Sequence, residues 1–183
     1  MSIVLIRHGR TAGNLEHRYI GSRTDEPLCP QGEAELGRGP NVQRVFSSPM
    51  RRCIKTAEIL FPGVPIETAE GLRECDFGAF EGKNYRELSG RPDYQAWIDS
   101  GGEAAFPGGE CRKDFAARCV QAFEAFCPWD EDAAFVVHGG TIMAIMEKYA
   151  RPQGSYFDFQ VKNGEGYVLE KSGAYRKISV YKA

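Results

Sequence analysis

Two short apolar segments of the 183-residue chain each run into a histidine that is followed by glycine. Residues 3–6 lead towards His8, and residues 133–137 lead into His138. In an open parallel sheet, ligands bind beyond the carboxyl ends of the strands, so we expect both histidines in one crevice. The step after His138 also begins a helix, whose free N–H groups favour an anion such as phosphate. The alternative is that each histidine only ends a strand in a hydrogen-bonded position.

Three arginines strengthen the prediction of a phosphate site. Arg7 lies next to the first histidine, and Arg51 and Arg52 fall in the first turn of a predicted helix that follows a strand. That helix is predicted to open with Ser48 as N-cap and Pro49 at the first helical position. Arginine forks bind phosphate oxygens in pairs and keep their charge. Neither Arg51 nor Arg52 lies on the apolar stripe, so helical periodicity leaves open which of them turns inward.

The elements that must position these residues alternate between strands and helices. Strands are predicted at residues 3–6, 44–47, 65–68, 133–137, 166–170 and 174–181, the last two as a hairpin. Helices are predicted at residues 31–38, 48–61, 112–126 and 141–149, with two short helices within residues 84–100. This alternation predicts an α/β fold of three layers, a mostly parallel sheet with helices on both faces and one antiparallel edge. Because no repeat or polar linker divides the chain, residues 1–183 are expected to form a single domain.

Composition and charge narrow the classes of function. Hydrophobic residues make up 42% of the chain and charged residues 26%, which is ordinary for a globular protein and excludes a disordered one. The net charge is −2, yet residues 1–57 carry nine basic and five acidic side chains. A basic flank in an acidic protein favours a small anionic ligand over a nucleic acid, which needs a broad basic face.

The expected location follows from the amino terminus and the cysteines. The apolar residues before Arg7 are too few for a signal peptide or a membrane span, so no membrane partner is expected. Six cysteines occur without a C-x-x-C pair or a zinc-type spacing. A chain of this length builds its own core and needs no disulfide framework. Reduced thiols in the cytoplasm are therefore the prediction.

Several segments of the chain, taken in order, resemble the motifs of one enzyme family. Residues 5–14 resemble its R-H-G-x-[ST]-x-x-N opening, and residues 47–57 resemble its S-S-P-L-x-R-A-x-x-T-A helix. Further matches lie at residues 19–28 with Gly32, at 72–78 (L-R-E-x-x-F-G), at 107–110 and at 137–140. The chain therefore resembles the histidine phosphatase superfamily, the phosphoglycerate-mutase-like proteins, along nearly its whole length.

The resemblance implies a role for each candidate residue. It implies an enzyme in which His8 is the phosphoryl-accepting nucleophile and Glu74 is the proton donor. The groups implied to hold the phosphoryl group are His138, Arg7, Asn14, Arg52 and the Gly139 backbone N–H. The resemblance also selects Arg52 over Arg51, which periodicity left open. It implies no metal and no cofactor, and the expected partner is a small-molecule phosphomonoester.

These residue types suit phosphoryl transfer. A neutral imidazole attacks phosphorus and splits one difficult displacement into two easier ones. Fixed arginine, histidine and N–H donors meet the charge on the phosphoryl oxygens. A carboxyl that first donates and then accepts a proton needs a raised pKa, so we expect Glu74 in a desolvated place. Two positions are unusual: Arg10 stands where the family often has Glu or Gln, and a thiol, Cys75, lies beside Glu74.

Three alternative functions remain open at this point. A phosphoglycerate mutase would share every catalytic residue, but the family's mutases are longer, with helical segments that guard the phosphoenzyme from water. A metal site built from His8, His138 and Glu74 would suit zinc, although two flanking arginines would repel a cation. A phosphate-sensing binding module would use the same pocket without turnover, which the complete set of catalytic positions disfavours. The resemblance to the short phosphatase branch favours water as the acceptor.

Two further segments narrow the substrate. Residues 97–109 and 156–164 resemble the α-ribazole phosphatase branch, which removes a 5′-phosphate during cobalamin nucleotide-loop assembly. α-Ribazole 5′-phosphate is therefore one candidate substrate. Similar short members hydrolyse phosphoserine, sugar phosphates or many esters, so a phosphatase of broad specificity is the alternative.

Overall fold

The computed structural model describes residues 1–182 and centres on a six-stranded sheet. In chain order the strands are β1 (Ser2–Arg7), β2 (Arg44–Ser47), β3 (Ile66–Thr68), β4 (Ala133–Val137), β5 (Glu165–Glu170) and β6 (Tyr175–Ser179). They lie side by side in the order β3-β2-β4-β1-β5-β6. The first four strands pair in parallel, whereas β5 is antiparallel to β1 and β6 is antiparallel to β5. The predicted mostly parallel sheet with an antiparallel edge is thus confirmed.

Helices connect the strands. They are α1 (Ala12–Leu15), α2 (Pro30–Glu35), α3 (Arg51–Leu60), α4 (Tyr85–Leu88), α5 (Pro92–Asp99), α6 (Arg112–Phe126) and α7 (Gly139–Tyr149). Single 3₁₀ turns lie at Glu70–Leu72, Gly78–Phe80 and Tyr156–Phe159. Among residues 1–182, no helix has both the length and the apolar character that a membrane crossing requires.

Alternate residues of the central strands fill a core on each face of the sheet. On one face, Leu5 of β1 and Phe135 of β4 pack with Phe123 of α6 and with α7. On the other face, Ile6 packs with Ala57 of α3. Because successive side chains leave a strand on opposite faces, a continuous apolar strand is buried on both. The sheet is therefore the middle of three layers, and the predicted α/β fold is confirmed.

Two helix starts differ from the sequence-based prediction. α3 begins at Arg51, with Met50 as N-cap and no side-chain cap, so the predicted N-cap at Ser48 is wrong. The Ser48 N–H instead donates to the backbone of β4 at 3.1 Å, which prolongs the strand geometry of β2 by one residue. α7 begins at Gly139, two residues before the predicted start, because His138 is the last residue with extended backbone.

Strand register places the two predicted histidines next to each other. β1 and β4 are adjacent and parallel, and Arg7 pairs with Val137 at their carboxyl ends. The next residue of each strand is a histidine, and the His8 N–H continues the ladder with a hydrogen bond to the Val137 carbonyl at 3.0 Å. Both side chains therefore enter the crevice beyond the carboxyl edge of the sheet, where parallel sheets bind ligands.

Candidate active site

His8 lies at the end of β1 and is almost fully buried, with 3% of its surface exposed. Its ring Nδ1 lies 2.7 Å from the Gly9 carbonyl oxygen. Because a carbonyl oxygen only accepts hydrogen bonds, Nδ1 carries the hydrogen of the neutral ring and Nε2 keeps a lone pair. The His138 ring stands edge-on to it, with 5.2 Å between the ring centroids. The imidazole of His8 is thus held in one tautomer.

Two side chains hold the backbone around His8 in place. Thr56 of α3 accepts a hydrogen bond from the Gly9 N–H at 2.9 Å, and its hydroxyl donates to the Arg52 carbonyl at 2.7 Å. The Asn163 amide donates to the His8 carbonyl at 3.1 Å. Sequence analysis gave neither side chain a role. Thr56 and Asn163 both lie in segments that resemble the family, which is the only feature of the sequence that could have indicated a role for them. Their spacing relative to other residues does not place either in a site.

Arg52 points inward from α3 with none of its surface exposed, whereas Arg51 is exposed. The Arg52 guanidinium donates to the carbonyls of Thr24 at 2.9 Å and Gly21 at 3.2 Å. Its Nε–H has no hydrogen-bond partner within residues 1–182. The inward orientation of Arg52 thus depends on the carbonyl groups of a loop that is distant in sequence. Helical periodicity cannot predict such a contact.

Arg7 packs against the first turn of α7. A Cβ placed on Gly139 would lie 3.5 Å from the guanidinium carbon of Arg7. One Nη of Arg7 donates to the Val161 carbonyl at 2.8 Å, while its buried Nε–H has no partner in the described part of the chain. The buried Nε–H of Arg52 likewise has no hydrogen-bond partner within residues 1–182. Buried donors without an acceptor are costly, so both Nε–H groups are candidate donors to a bound anion.

His138 is the N-cap of α7 and is fully buried. Its Nε2 lies 2.8 Å from Ser48 Oγ and 3.6 Å from the Cys53 sulfur. Ser48, which the sequence predicts as a helix cap, is therefore a hydrogen-bond partner of a candidate site residue. The first N–H groups of an α-helix have no partner within the helix, so the Gly139 N–H is available to an anion beside His138.

Glu74 lies in the loop between β3 and α4 and faces the start of α7. Its Oε1 accepts a hydrogen bond from the Cys75 N–H at 2.9 Å, and a Cβ on Gly140 would lie 3.0 Å from the same oxygen. Burial raises the pKa of Glu74, while the Cys75 N–H and the charges of Arg52 and Arg7 oppose that rise in part. Desolvation therefore accounts for the raised pKa that was predicted for this carboxyl, although two nearby cations oppose the rise.

Asn14 and Arg10 line a wide cleft of about 820 Å³ that also exposes Arg7. Asn14 is half-buried, and its Oδ1 accepts a hydrogen bond from the Asn163 amide at 2.9 Å. The Arg10 guanidinium pairs with Glu35 at 3.2 Å, so its charge at the cleft wall is partly compensated. Asn14 is thus the most outlying of the predicted site residues, and Arg10 faces both the cleft and an acidic partner.

The two buried arginines also set the charge of the histidines. Burial lowers the pKa of His8 well below its usual value, and the charges of Arg52 and Arg7 lower it further. Burial and the Arg52 charge lower the pKa of His138 in the same direction. A neutral His8 with a free Nε2 lone pair beside two cations can attack an electrophile that carries negative charge. This combination fits a phosphoryl group.

A second, largely apolar cavity of about 210 Å³ adjoins Glu74. Aromatic residues form most of its wall: Tyr19, Phe77, Trp97, Phe106, Phe115, Tyr156 and Phe157. Gly140 and Arg112 complete the side towards the crevice. Residues 97–109 and 156–164, which resemblance alone singled out from the sequence, supply four of these rings: Trp97, Phe106, Tyr156 and Phe157. The rings come from segments with no shared period, so no periodicity predicts the wall.

The predicted site residues gather at one end of the sheet: Arg7, His8, Asn14, Arg52, Glu74, His138 and Gly139. Within residues 1–182, no three His, Cys, Asp or Glu side chains form a set that could hold one metal ion. The crevice therefore combines a neutral imidazole, two cations, a helix amino terminus and a carboxyl group of raised pKa.

The chain belongs to the histidine phosphatase superfamily (branch 1), whose family model matches residues 3–182. It is therefore a phosphatase or mutase of that superfamily, and the resemblance stated from its motifs is confirmed. Over 162 residues it is 33% identical to a 2,3-bisphosphoglycerate-dependent phosphoglycerate mutase 2 of Gloeobacter violaceus, covering 79% of this chain and 73% of that protein. Over 172 residues it is 31% identical to a broad-specificity phosphatase of Saccharomyces cerevisiae, covering 82% and 72%.

The fold is also that of a solved relative. The crystal structure of the α-ribazole phosphatase from Shigella flexneri superposes with a TM-score of 0.83 at 22% identity, covering 100% of this chain and 96% of that chain. At this identity the likeness shows the shared fold. The relatives above include a mutase and a phosphatase, so membership of the family does not by itself distinguish hydrolysis from the mutase reaction.

The electrostatics of the crevice predict the titration of His8. In the wild-type chain, NMR of the ring nitrogens should show a His8 pKa well below the ordinary value of about 6.5, so the ring is neutral from there upwards. Arg52→Met should raise the pKa of His8, because of the two arginine charges that lower this pKa, that of Arg52 has the larger effect. Arg51→Met removes an equal charge from an exposed position and should leave it unchanged. A wild-type pKa at or above 6.5, or equal shifts in the two variants, would contradict this account.

Proposed function

We propose that this chain is a metal-independent phosphomonoester hydrolase that forms a phosphohistidine at Nε2 of His8. One observation carries the proposal: a neutral imidazole, anchored through Nδ1, lies near the guanidinium groups of Arg7 and Arg52, whose buried Nε–H donors have no partner within residues 1–182. Such a crevice offers a nucleophile and a receptor for phosphoryl oxygens together. The matched span of residues 3–182 supports treating the chain as one catalytic domain.

In the proposed first step, the Nε2 lone pair of His8 attacks phosphorus while the bond to the ester oxygen breaks. Glu74 gives its proton to the departing oxygen, so the alcohol leaves neutral. In the second step, Glu74 takes a proton from water as that water attacks phosphorus. The N–P bond then breaks, its electron pair returns to Nε2, and inorganic phosphate is released. The raised pKa of Glu74 supports this exchange of one proton in both directions.

The charge that develops on the phosphoryl oxygens needs fixed donors. We assign this role to five groups: Arg7, Asn14, Arg52, His138 and the Gly139 N–H. Arg52 and His138 are fully buried, so water does not screen their interaction with an anion. The free N–H groups and the dipole of α7 add to the same attraction. Such preorganised donors are the largest single contribution to many phosphoryl transfers.

Water is the proposed acceptor of the phosphoryl group. The cleft of about 820 Å³ reaches Arg7 and Asn14, and its rim includes the exposed residues Leu15 and His17. An open cleft that reaches Arg7 supports access of water to a phosphoryl group bound beside that arginine. This access supports hydrolysis over transfer to a second alcohol, the mutase reaction. The six free cysteine thiols further support a role in a reducing compartment such as the cytoplasm.

The leaving group is proposed to occupy the aromatic cavity beside Glu74. The cavity adjoins the carboxyl that would protonate the leaving oxygen, and its rings suit a flat, apolar group. The benzimidazole of α-ribazole 5′-phosphate has this character, and the shared fold with an α-ribazole phosphatase supports that ester as the first candidate substrate. A broad-specificity phosphatase that accepts other small esters is the second, favoured by the 31% identical yeast relative.

The phosphohistidine is testable directly. Rapid quenching in alkali during turnover of a ³²P-labelled monoester should trap a phosphoenzyme that is stable in base and labile in acid. His8→Ala should abolish both the label and the release of inorganic phosphate, because the only proposed nucleophile is lost. A labelled serine or aspartate, or a His8→Ala variant that still turns over, would refute the mechanism. Label without phosphate release, in the presence of alcohol acceptors, would instead indicate a mutase, and neither label nor phosphate release would indicate a phosphate-binding module.

The substrate proposal predicts a ranking of esters. The value of kcat/KM should be higher for α-ribazole 5′-phosphate and naphthyl phosphate than for phosphoserine, glucose 6-phosphate or 3-phosphoglycerate. Phe157→Ala opens the cavity wall and should lower kcat/KM about 10- to 100-fold for the aromatic esters alone, as for loss of 1–3 kcal/mol of apolar contact. The matched control is Tyr85→Ala, an exposed aromatic outside that cavity. A preference for phosphoserine, or equal losses for all esters, would reject the aromatic leaving group.

The proposed role of Glu74 predicts a dependence on the leaving group. An alkyl ester expels a basic alkoxide that needs a proton, whereas p-nitrophenolate leaves without one. Glu74→Gln keeps the shape but cannot ionise, so it should slow the phosphoenzyme burst with an alkyl ester by about 10²–10⁴-fold. The burst with p-nitrophenyl phosphate should be nearly normal. Stopped-flow or quench-flow kinetics of both esters decide the matter: equal losses would make Glu74 a structural residue.

A further inference from the structure

The loop that carries Glu74 has no regular secondary structure of its own. Residues 73–77 lie between the 3₁₀ turns Glu70–Leu72 and Gly78–Phe80 and belong to no helix or strand. Within residues 1–182, the only hydrogen bond that the Glu74 carboxyl forms is with the N–H of the next residue, Cys75. The place of the carboxyl in the crevice therefore depends on what holds the backbone of this loop.

One guanidinium on α6 donates to three carbonyls at and just before the start of this loop. Arg118 Nη1 donates to the carbonyls of Gly71 at 2.9 Å and Arg73 at 3.1 Å. Its Nη2 lies 3.4 Å from the carbonyl oxygen of Glu74 itself. Since buried carbonyls need donors, the three oxygens fix the path of the backbone immediately before and at the proposed acid.

Glu110 holds Arg118 and the other end of the loop at the same time. Its carboxylate accepts from Arg118 Nε at 2.9 Å and from Nη2 at 2.8 Å, the two-pronged geometry in which both partners have fixed orientation. The carboxylate also accepts from the Asp76 N–H at 2.9 Å, and the Glu110 N–H donates to the Asp76 carbonyl at 2.9 Å. The ion pair therefore contacts the loop on both sides of Glu74.

The ion pair also ties the loop to the helix that begins at the crevice. Arg118 lies one turn after Phe115 on α6, with its guanidinium carbon 5.2 Å from the ring centre. That ring approaches α7 so closely that a Cβ on Gly140 would lie 2.7 Å from it. The acid loop, α6 and the first turn of α7 are thus packed in series. A displacement of Arg118 would change the distance between Glu74 and an anion at that turn.

We propose that Arg118 and Glu110 are positioning residues that fix the Glu74 carboxyl at the leaving oxygen of the substrate. The inference rests on the proposed role of Glu74 as the acid, and neither residue is assigned a contact with substrate. The ion pair substitutes for secondary structure in a loop that must place one oxygen accurately. A misplacement of about 1 Å can slow a reaction about 10²-fold, so a support of this kind is kinetically significant.

The test uses the dependence on leaving group, which a general loss of structure would not produce. In the full-length chain, Arg118→Met should slow the phosphoenzyme burst with an alkyl ester about 10²-fold and leave the burst with p-nitrophenyl phosphate nearly unchanged. Glu110→Gln, which preserves shape, should give a smaller loss of the same kind. Lys113→Met removes an equal charge from an exposed position on α6 and should have no effect. Combining Arg118→Met with Glu74→Gln should add no further loss for the alkyl ester.

The outcomes separate this inference from the function on which it rests. If Glu74→Gln shows the dependence on leaving group but Arg118→Met and Glu110→Gln slow both esters equally, the ion pair is merely structural and the inference fails alone. Additive losses in the double variant lead to the same rejection. If Glu74→Gln itself shows no such dependence, the proposed acid is wrong and the inference fails with it. If Arg118→Met does not fold, Glu110→Gln carries the same comparison.

Discussion

The rest of the structure depends on two guanidinium groups at the crevice, the fully buried one of Arg52 and the half-buried one of Arg7, which donate to backbone carbonyl oxygens. Arg7 donates to Val161, and Arg52 donates to Thr24 and Gly21. A buried charge is expensive unless it is paired, and carbonyl dipoles compensate it only in part. The Glu74 carboxyl lies close enough to raise the pKa of Arg7 in part, and the proposed phosphoryl ligand would add the negative charge that the carbonyls do not supply. Burial first, and then the charges of Arg52 and Arg7, lower the pKa of His8 and favour the neutral ring that the proposed nucleophile requires.

Each layer of the fold contributes a different chemical group to the crevice. The parallel pair β1 and β4 delivers the two histidines at adjacent positions, since strand register leaves no freedom between them. α3 delivers Arg52 from one face of the sheet, and α7 delivers its amino terminus at the carboxyl edge of β4. Only the proposed acid comes from a loop. Glu74 therefore lacks the rigidity that regular structure gives the others, and its support comes from side chains of a neighbouring helix.

The parts of the fold that obey a short-range period could be predicted from the sequence. The strand at residues 133–137 and the helix at 112–126 have the predicted limits, because their apolar residues repeat within the element. The start of α3 could not, since the backbone of Ser48 is held by β4, more than eighty residues away. The residues that hold the backbone of the site in place could not be predicted either, for the same reason. Thr56, Asn163 and Arg118 act through hydrogen bonds to distant carbonyls and N–H groups, and no local pattern records those partners.

The unpartnered donors of the resting site bear on how catalysis and anion binding are related. Within residues 1–182, the Nε–H groups of Arg7 and Arg52 have no acceptor from the protein itself. They need no reorganisation when phosphoryl oxygens arrive, and the free energy of pairing them is released only on binding. If the donors were directed at inorganic phosphate as strongly as at the transition state, product would block the site. For the proposed mechanism to turn over, the donors would therefore have to fit the planar, transferring phosphoryl group between His8 and the leaving oxygen better than they fit the tetrahedral product.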